Sequence, residues 1–122
     1  MKPVVFDSSF LISVAEHPTG WHESITELVG GFEPVALDCV LEELNSISEE
    51  AGKRGRFARL AITMAEKFRR VGCGGADVDS EILSYAVANS AMVATIDGEM
   101  LRALNRQGVG CVTLHGGRVA LA

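Results

Sequence analysis

Short apolar runs that recur between helix-length segments constrain this chain more than any other feature. Val4-Val5-Phe6 leads into Asp7, Pro34-Val35-Ala36-Leu37 into Asp38, and Met92-Val93-Ala94-Thr95-Ile96 into Asp97. Each run is too short for a helix and nearly free of polar residues, the pattern of a strand buried on both faces of a parallel sheet. The stretches between them carry apolar residues at helical spacing, such as Phe10, Leu11, Val14 and Ala15, or Val40, Leu41, Leu44 and Ile47. Strands alternating with helices predict an α/β fold, a three-layer α/β/α sandwich around a central, mostly parallel sheet of four to five strands. At 122 residues, 48% of them hydrophobic, one domain over 1–122 with its own core is expected.

Taken in order, strands are expected at 3–6, 34–37, 92–96 and 111–114, with a small terminal strand at 119–121 and a brief one near 71–75. Helices are expected at 8–15, 22–29, 40–47, 57–68, 80–89 and 98–107. Ile25, Leu28 and Val29 should face inward on the second helix. Leu60, Ala61, Met64 and Phe68 should do so on the fourth, and Ile82, Leu83, Ala86 and Val87 on the fifth. Met100, Leu101 and Leu104 make the corresponding stripe on the sixth. Residues 49–55 are polar and glycine-containing, a loop, and the 17–20 segment His17-Pro18-Thr19-Gly20 is a turn.

No apolar run approaches the roughly 20 residues of a membrane span, and the N-terminal residues hold no signal-peptide core. A cytoplasmic protein with no membrane partner is expected. Cys39, Cys73 and Cys111 are odd in number and lack zinc spacing, so they read as buried or free thiols in a reducing compartment. The net charge of −5 argues against nucleic acid, but its distribution is uneven. Residues 53–70 hold seven basic side chains (Lys53, Arg54, Arg56, Arg59, Lys67, Arg69, Arg70) against Glu66 alone, a net +6 that leaves −11 on the rest. Such a segment is either a phosphate-binding face or a solvated helix face.

Right-handed crossovers bring the carboxyl ends of parallel strands to one edge, where open α/β sheets place their ligands. Asp7 and Asp97 end strands, Asp79 begins a helix, and Glu43 lies one turn into the helix after strand two. Each acid has an ordinary explanation as a cap, a turn or helix-start charge. Asp7 or Ser8 could cap the first helix, and Asp38 the third. Four anions drawn to one edge nonetheless repel, and partial burial raises the cost. A divalent cation offsets that repulsion, and all-oxygen ligands select Mg²⁺ or Mn²⁺. One or two such ions suit phosphodiester hydrolysis. His17, His22 and His115 are scattered and form no competing cluster.

These residues resemble the PIN-domain ribonucleases, especially the small single-domain prokaryotic and archaeal members and the VapC-like toxins. Val4-Val5-Phe6-Asp7-Ser8-Ser9-Phe10-Leu11-Ile12 is similar to the family's opening motif. Val40-Leu41-Glu42-Glu43-Leu44 is similar to its second, which selects Glu43 over Glu42. Asp79-Ser80-Glu81-Ile82 is similar to its third, selecting Asp79 over Asp77, and the stretch from Val93 through Thr95-Ile96-Asp97 to Leu101 to its fourth. Ile96 departs from the pattern, since relatives often carry Asn or Arg between Thr and Asp. The resemblance implies a PIN-like fold and a metal-dependent endoribonuclease acting mainly on single-stranded RNA. Asp7, Glu43, Asp79 and Asp97 would hold the Mg²⁺ or Mn²⁺. Ser9 and Thr95 would orient carboxylates or water, and Asp77 and Glu99 would be outer ligands. Lys53, Arg54, Arg56 and Arg59 would guide RNA, with an antitoxin protein or a second copy of the chain as further partners.

The same acids would serve a toxin or an RNA-processing nuclease, and a small DNA-binding antitoxin encoded upstream would mark the former. A non-catalytic PIN-fold assembly module is the rival reading. A phospho-acceptor receiver domain needs a late lysine, and none follows Lys67. A dinucleotide-binding domain needs a glycine-rich first turn, where this chain has Asp7-Ser8-Ser9.

Overall fold

The computed structural model describes residues 1–18 and 20–122; Thr19, within the turn expected at 17–20, lies outside the described residues. The chain starts in β1 (Lys2–Phe6) and runs through α1 (Ser8–Glu16) and α2 (Trp21–Val29) to β2 (Phe32–Leu37). It continues through α3 (Asp38–Ser48) and α4 (Lys53–Ala65) to β3 (Arg69–Val71). α5 (Val78–Asn89) carries it back to the other side of β1, where β4 (Met92–Ala94), α6 (Gly98–Arg106) and β5 (Cys111–His115) follow. β6 (Arg118–Leu121) pairs antiparallel with β5, and the sheet order is β3-β2-β1-β4-β5-β6. The other four pairings are parallel. The sheet thus has six strands, because both the brief β3 and the terminal β6 join it as edges.

β1 is central, and Val4, Val5 and Phe6 are fully buried. They are apolar on both alternating faces because helices cover both sides of the strand. Phe6 is the hub of an aromatic cluster, with ring centroids 5.6 Å from Phe10, 5.5 Å from Trp21 and 5.1 Å from Phe68. The strand order reverses between β1 and β4: the chain steps outward from β1 to β2 and β3, then crosses over to β4. A crevice opens at such a switch point, outside the strand carboxyl ends. Asp7 N–H donates to the Ala94 carbonyl at 2.9 Å, holding those two strand ends together.

Several expectations are corrected. α4 begins at Lys53 inside the expected loop, and its buried stripe is Gly55, Ala58, Ala61 and Ala65. Leu60 is 48% exposed, Met64 is half-buried, and Phe68 reaches the core from beyond the helix end. Small residues win there because α4 lies against both α1 and α3, and a thin side-chain layer permits close approach. Leu28 and Val87 are likewise exposed, so each of their helices buries a narrower stripe than its apolar content implies. Asp38 is the first residue of α3 rather than its cap. Cys39 and Cys73 are not free thiols: they form a disulfide with Cα atoms 6.1 Å apart. The parallel register explains the pairing. Leu37 stands opposite Val71, and each cysteine follows two residues later. Cys111 is the free, buried cysteine, and burial pushes its thiol pKa up.

Gly55 is needed where it stands. A Cβ there would lie 1.9 Å from the Glu50 carbonyl oxygen and 2.9 Å from its carbon. Backbone cannot retreat as a side-chain tip can, so Gly55→Ala should destabilise the fold by about 2–3 kcal/mol. The helix-propensity gain of roughly 1 kcal/mol acts the other way and is smaller. At Gly72 a Cβ would meet only the Asp38 Oδ2, at 3.9 Å. Chemical denaturation should therefore show a lowered midpoint for Gly55→Ala and little change for Gly72→Ala. Equal midpoints would refute the close approach of the α3–α4 connection, at Glu50, to Gly55.

Candidate active site

Asp7 occupies the N-cap position of α1, with extended backbone, yet neither it nor any neighbouring side chain caps the helix. Its carboxylate is turned elsewhere. Oδ2 accepts from Ser9 Oγ at 2.9 Å and from Thr95 Oγ1 at 2.7 Å, and the residue is only 6% exposed. Thr95 is fully buried just beyond β4, and its Oγ1 also accepts the Asp97 N–H at 3.1 Å. Ser9 Oγ accepts the Ile96 N–H at 3.3 Å. Two hydroxyls thus lock the carboxyl ends of β1 and β4 around one carboxylate oxygen. Oδ1 takes no hydrogen bond among the described residues. Ser8, expected as a possible cap, donates to Glu43 Oε1 on α3.

Asp97 caps α6: its Oδ1 accepts from Glu99 N–H at 2.9 Å and Met100 N–H at 3.2 Å. Asp77 caps α5, with Oδ2 3.1 Å from Ser80 N and Oδ1 2.7 Å from Ser80 Oγ. Those bonds hold its carboxyl below the usual range. Asp79 sits in the first turn of the same helix and accepts no hydrogen bond among the described residues. Burial pushes its carboxyl above the usual range, and the charges of Asp7, Asp97, Asp77 and Glu43 add to the push. Asp79 therefore shares one electrostatic field with the other three acids, whereas Asp77 commits both oxygens to Ser80. Glu99 lines a cavity with Asp79 between α5 and α6.

The cluster carries no counter-charge of its own. The ion pairs among the described residues are Arg54–Glu50, Arg69–Glu33 and Arg70–Asp38, and none reaches Asp7, Glu43, Asp79 or Asp97. The N-terminal turns of α1, α5 and α6 face the acids and offset part of the repulsion. As placed, no three acidic, histidine or cysteine side chains among the described residues stand close enough to share an ion. The four acids are a gathered field rather than a preformed coordination shell. Their chemistry, oxygen-only and uncompensated, fits a hard divalent cation.

The expected basic segment divides. Arg54 lines a cavity with Ser8, Ser9 and Glu43, although it is paired with Glu50 at 2.7 Å. Arg56 lies over the Phe57 ring at 5.1 Å, and Arg59 donates to the Ser48 carbonyl at 2.6 Å. Lys53 is exposed at the start of α4. Arg69 and Arg70 are tied into edge-strand ion pairs. A cavity of about 1010 Å³ lies between α1, α2 and the β5–β6 hairpin and includes none of the four acids. Sequence reasoning missed Ser8 as the anchor of Glu43; the doubled hydroxyl after Asp7 was its one visible signal.

The chain belongs to a family described as PIN like domain, whose profile matches residues 4–117. Among solved structures it is similar to one titled "Structure of the PIN domain endonuclease Utp24", with a TM-score of 0.81 at 21% identity, covering 98% of this chain and 90% of that one. It is also similar to a domain of a functionally unknown protein from Methanocaldococcus jannaschii DSM 2661. That match has a TM-score of 0.65 at 15% identity and covers 95% and 93% of the two chains. A comparison with curated proteins finds no match. At these identities the two structures share the fold, and the six-stranded, mostly parallel sheet is that of a PIN-like domain. No helix among the described residues is long and apolar enough to cross a membrane.

Two outcomes are expected. Thr95→Val keeps the shape but removes the hydroxyl that serves both Asp7 and the Asp97 N–H, so it should cost roughly 1–3 kcal/mol in urea unfolding. Thr95→Ser should recover most of that loss; equal stability of all three proteins would show the lock to be idle. For Asp79 the folded carboxyl lies above its unfolded value of 3.8. Its protonated form favours folding below that value, and the benefit is lost as pH rises through the folded pKa. At pH near 7, in chelator, Asp79→Asn should therefore melt higher than wild type. That gain should shrink in acid; a lower melting temperature near pH 7 would contradict the repulsion.

Proposed function

We propose that this protein is a Mg²⁺- or Mn²⁺-dependent endoribonuclease that hydrolyses phosphodiester bonds of mainly single-stranded RNA. The observation that carries this reading is the acid field at the switch point. A buried Asp7 is fixed by two hydroxyls, and the Asp79 carboxyl is raised first by burial and then by the charges of Asp7, Asp97, Asp77 and Glu43. Family membership supports it, as does similarity to a structure described as a PIN domain endonuclease. RNA as the substrate follows from the resemblance to PIN-domain ribonucleases.

Asp7, Glu43, Asp79 and Asp97 would hold the cation, with Glu99 beside Asp79. When bound, the cation supplies Lewis acidity and positive charge at the scissile phosphate. The chain's own residues prepare that site. Ser9 and Thr95 hold Asp7 Oδ2 and leave Oδ1 without a hydrogen bond among the described residues, as supporting hydrogen bonds do for metal-binding carboxylates. Ser8 holds one oxygen of Glu43, and capping holds one oxygen of Asp97. Asp7, Glu43 and Asp97 thus each keep an oxygen free while a hydrogen bond fixes their orientation, and Asp79 keeps both oxygens free among the described residues. Arg54, beside Glu43, with Lys53, Arg56 and Arg59 on the same helix, would steer the RNA backbone toward the acids. Long-range attraction of that kind weakens with salt.

Asp7→Asn should lower Mn²⁺-dependent cleavage of an unstructured RNA by about a hundredfold or more. Equal cleavage by that variant would mean a contaminating nuclease and end the catalytic reading. Binding has its own readout. At 100 times its dissociation constant, Mn²⁺ should stabilise wild type by about 2.7 kcal/mol, seen as a higher melting temperature. The Asp7→Asn/Asp97→Asn protein should show no such rise.

A further inference from the structure

The cavity that Asp79 lines draws its positive charge from α6, outside the basic segment of the sequence. A cavity of about 470 Å³ between α5 and α6 is walled on one side by Asp79 and Ser80 and on the other by Glu99, Arg102 and Arg106. Arg102 and Arg106 are four residues apart, so they project from one face of the helix. Both are exposed, and neither forms an ion pair among the described residues, whereas Arg54, Arg69 and Arg70 do. The Arg102 guanidinium folds back along α6 toward its first turn: Nη1 lies 3.5 Å from where a Cβ on Gly98 would be. Gly98 directly follows Asp97. An unpaired guanidinium therefore stands at the rim of the acid cluster. Arg106, in the last helical turn, also complements the helix dipole; Arg102, in mid-helix, has no such role.

We propose that Arg102 and Arg106 form a binding site for a backbone phosphate of single-stranded RNA, on the far side of the acid cluster from Arg54. Guanidinium is suited to this because its planar fork donates two hydrogen bonds to a phosphate at once. Asp79 and Glu99 on the same walls disfavour a free anion, so the site selects a phosphate delivered as part of a strand. The strand would cross from α4 over Asp7 to α6, gripped on both sides. The adjacency to a scissile bond rests on the nuclease reading; the phosphate site itself does not.

The experiment measures binding of a fluorescein-labelled oligouridylate to the Asp7→Asn protein by anisotropy, between roughly 50 and 200 mM salt. Adding Arg102→Gln and Arg106→Gln should weaken binding by about tenfold or more. It should also flatten the log–log salt dependence by roughly 0.7, the amount expected for one lost phosphate contact on a single strand. Arg102→Lys/Arg106→Lys keeps both charges and should keep most of the slope. Lys2→Gln, at the amino end of the central strand β1 and so at the other end of the strands from the acids, should change neither quantity. In the wild-type background the glutamine pair should raise KM far more than it lowers kcat. Unchanged affinity and slope would overturn the proposal even if wild type cleaves RNA. So would an Asp7→Asn protein with no salt-dependent RNA binding. Loss of binding with the flattened slope would support it even if no cleavage is found, in which case only the nuclease reading falls.

Discussion

The hydrogen bonds from Ser9 and Thr95 to a single oxygen of Asp7 are the interaction on which this edge of the molecule depends. They join a residue just after β1 to one just after β4, the two strands between which the sheet order reverses. A parallel sheet leaves a crevice there because the crossing helices depart to opposite faces. A buried carboxylate in such a crevice would be costly without donors, and the two hydroxyls meet that need while leaving Oδ1 uncommitted. The same Thr95 oxygen accepts the Asp97 N–H, so the start of α6 is set by the contact that sets Asp7. Two of the four acids of the proposed chemistry, Asp7 and Asp97, are thereby placed by one small network.

Much of the fold was legible because strand and helix periods differ sharply along this chain. Val4-Val5-Phe6, Val35-Ala36-Leu37 and Val93-Ala94 read as doubly buried strands and are such. The helix count and order also follow from pattern. What pattern could not supply was which apolar face wins. On α4, Leu60 and Ala61 are adjacent and both apolar, yet Ala61 is buried and Leu60 is 48% exposed. The choice is made by helix–helix distance: α4 has neighbours on two sides, and only small residues fit between. Gly55 answers a different constraint, the close approach of the α3–α4 connection. Its meaning appears only when the Glu50 carbonyl is seen beneath it, 1.9 Å from any Cβ.

At the site, Asp7, Asp79 and Asp97 could be named from sequence because each stands at the end of a strand or the beginning of a helix; Glu43, expected one turn into its helix, lies mid-helix because α3 starts earlier, at Asp38. Side-chain partners could not be named in this way. Cys39 and Cys73 are 34 residues apart, and nothing in their spacing suggests a bond. They meet because Leu37 and Val71 are opposite in the β2–β3 ladder, a register that must be known first. Charge, too, takes its meaning from the fold. The basic run at 53–70 stands out in one dimension, but three of its arginines are spent on Glu50, Glu33 and Asp38. Arg102 and Arg106 are inconspicuous in the sequence and become notable because α6 turns them toward the cavity that holds Asp79.

That division of charge bears on why the acids are where they are. The chain has basic residues enough to neutralise the cluster, and ion pairs do form elsewhere on the surface. Exposed pairs of that kind stabilise little, typically less than about 1 kcal/mol each, so stability gives weak grounds for choosing those sites. Leaving Asp79 beside Asp7, Glu43 and Asp97 has the opposite sign, because each ionised neighbour raises the cost of its charge. The helix starts soften this cost without removing it. Departures from local consistency in an otherwise well-packed fold mark functional ground, and here the departure has a chemical direction: oxygen donors, held in place and uncompensated, want a hard cation. Filling the cluster with a lysine or arginine would relieve the repulsion and occupy the space that a cation and a phosphate need.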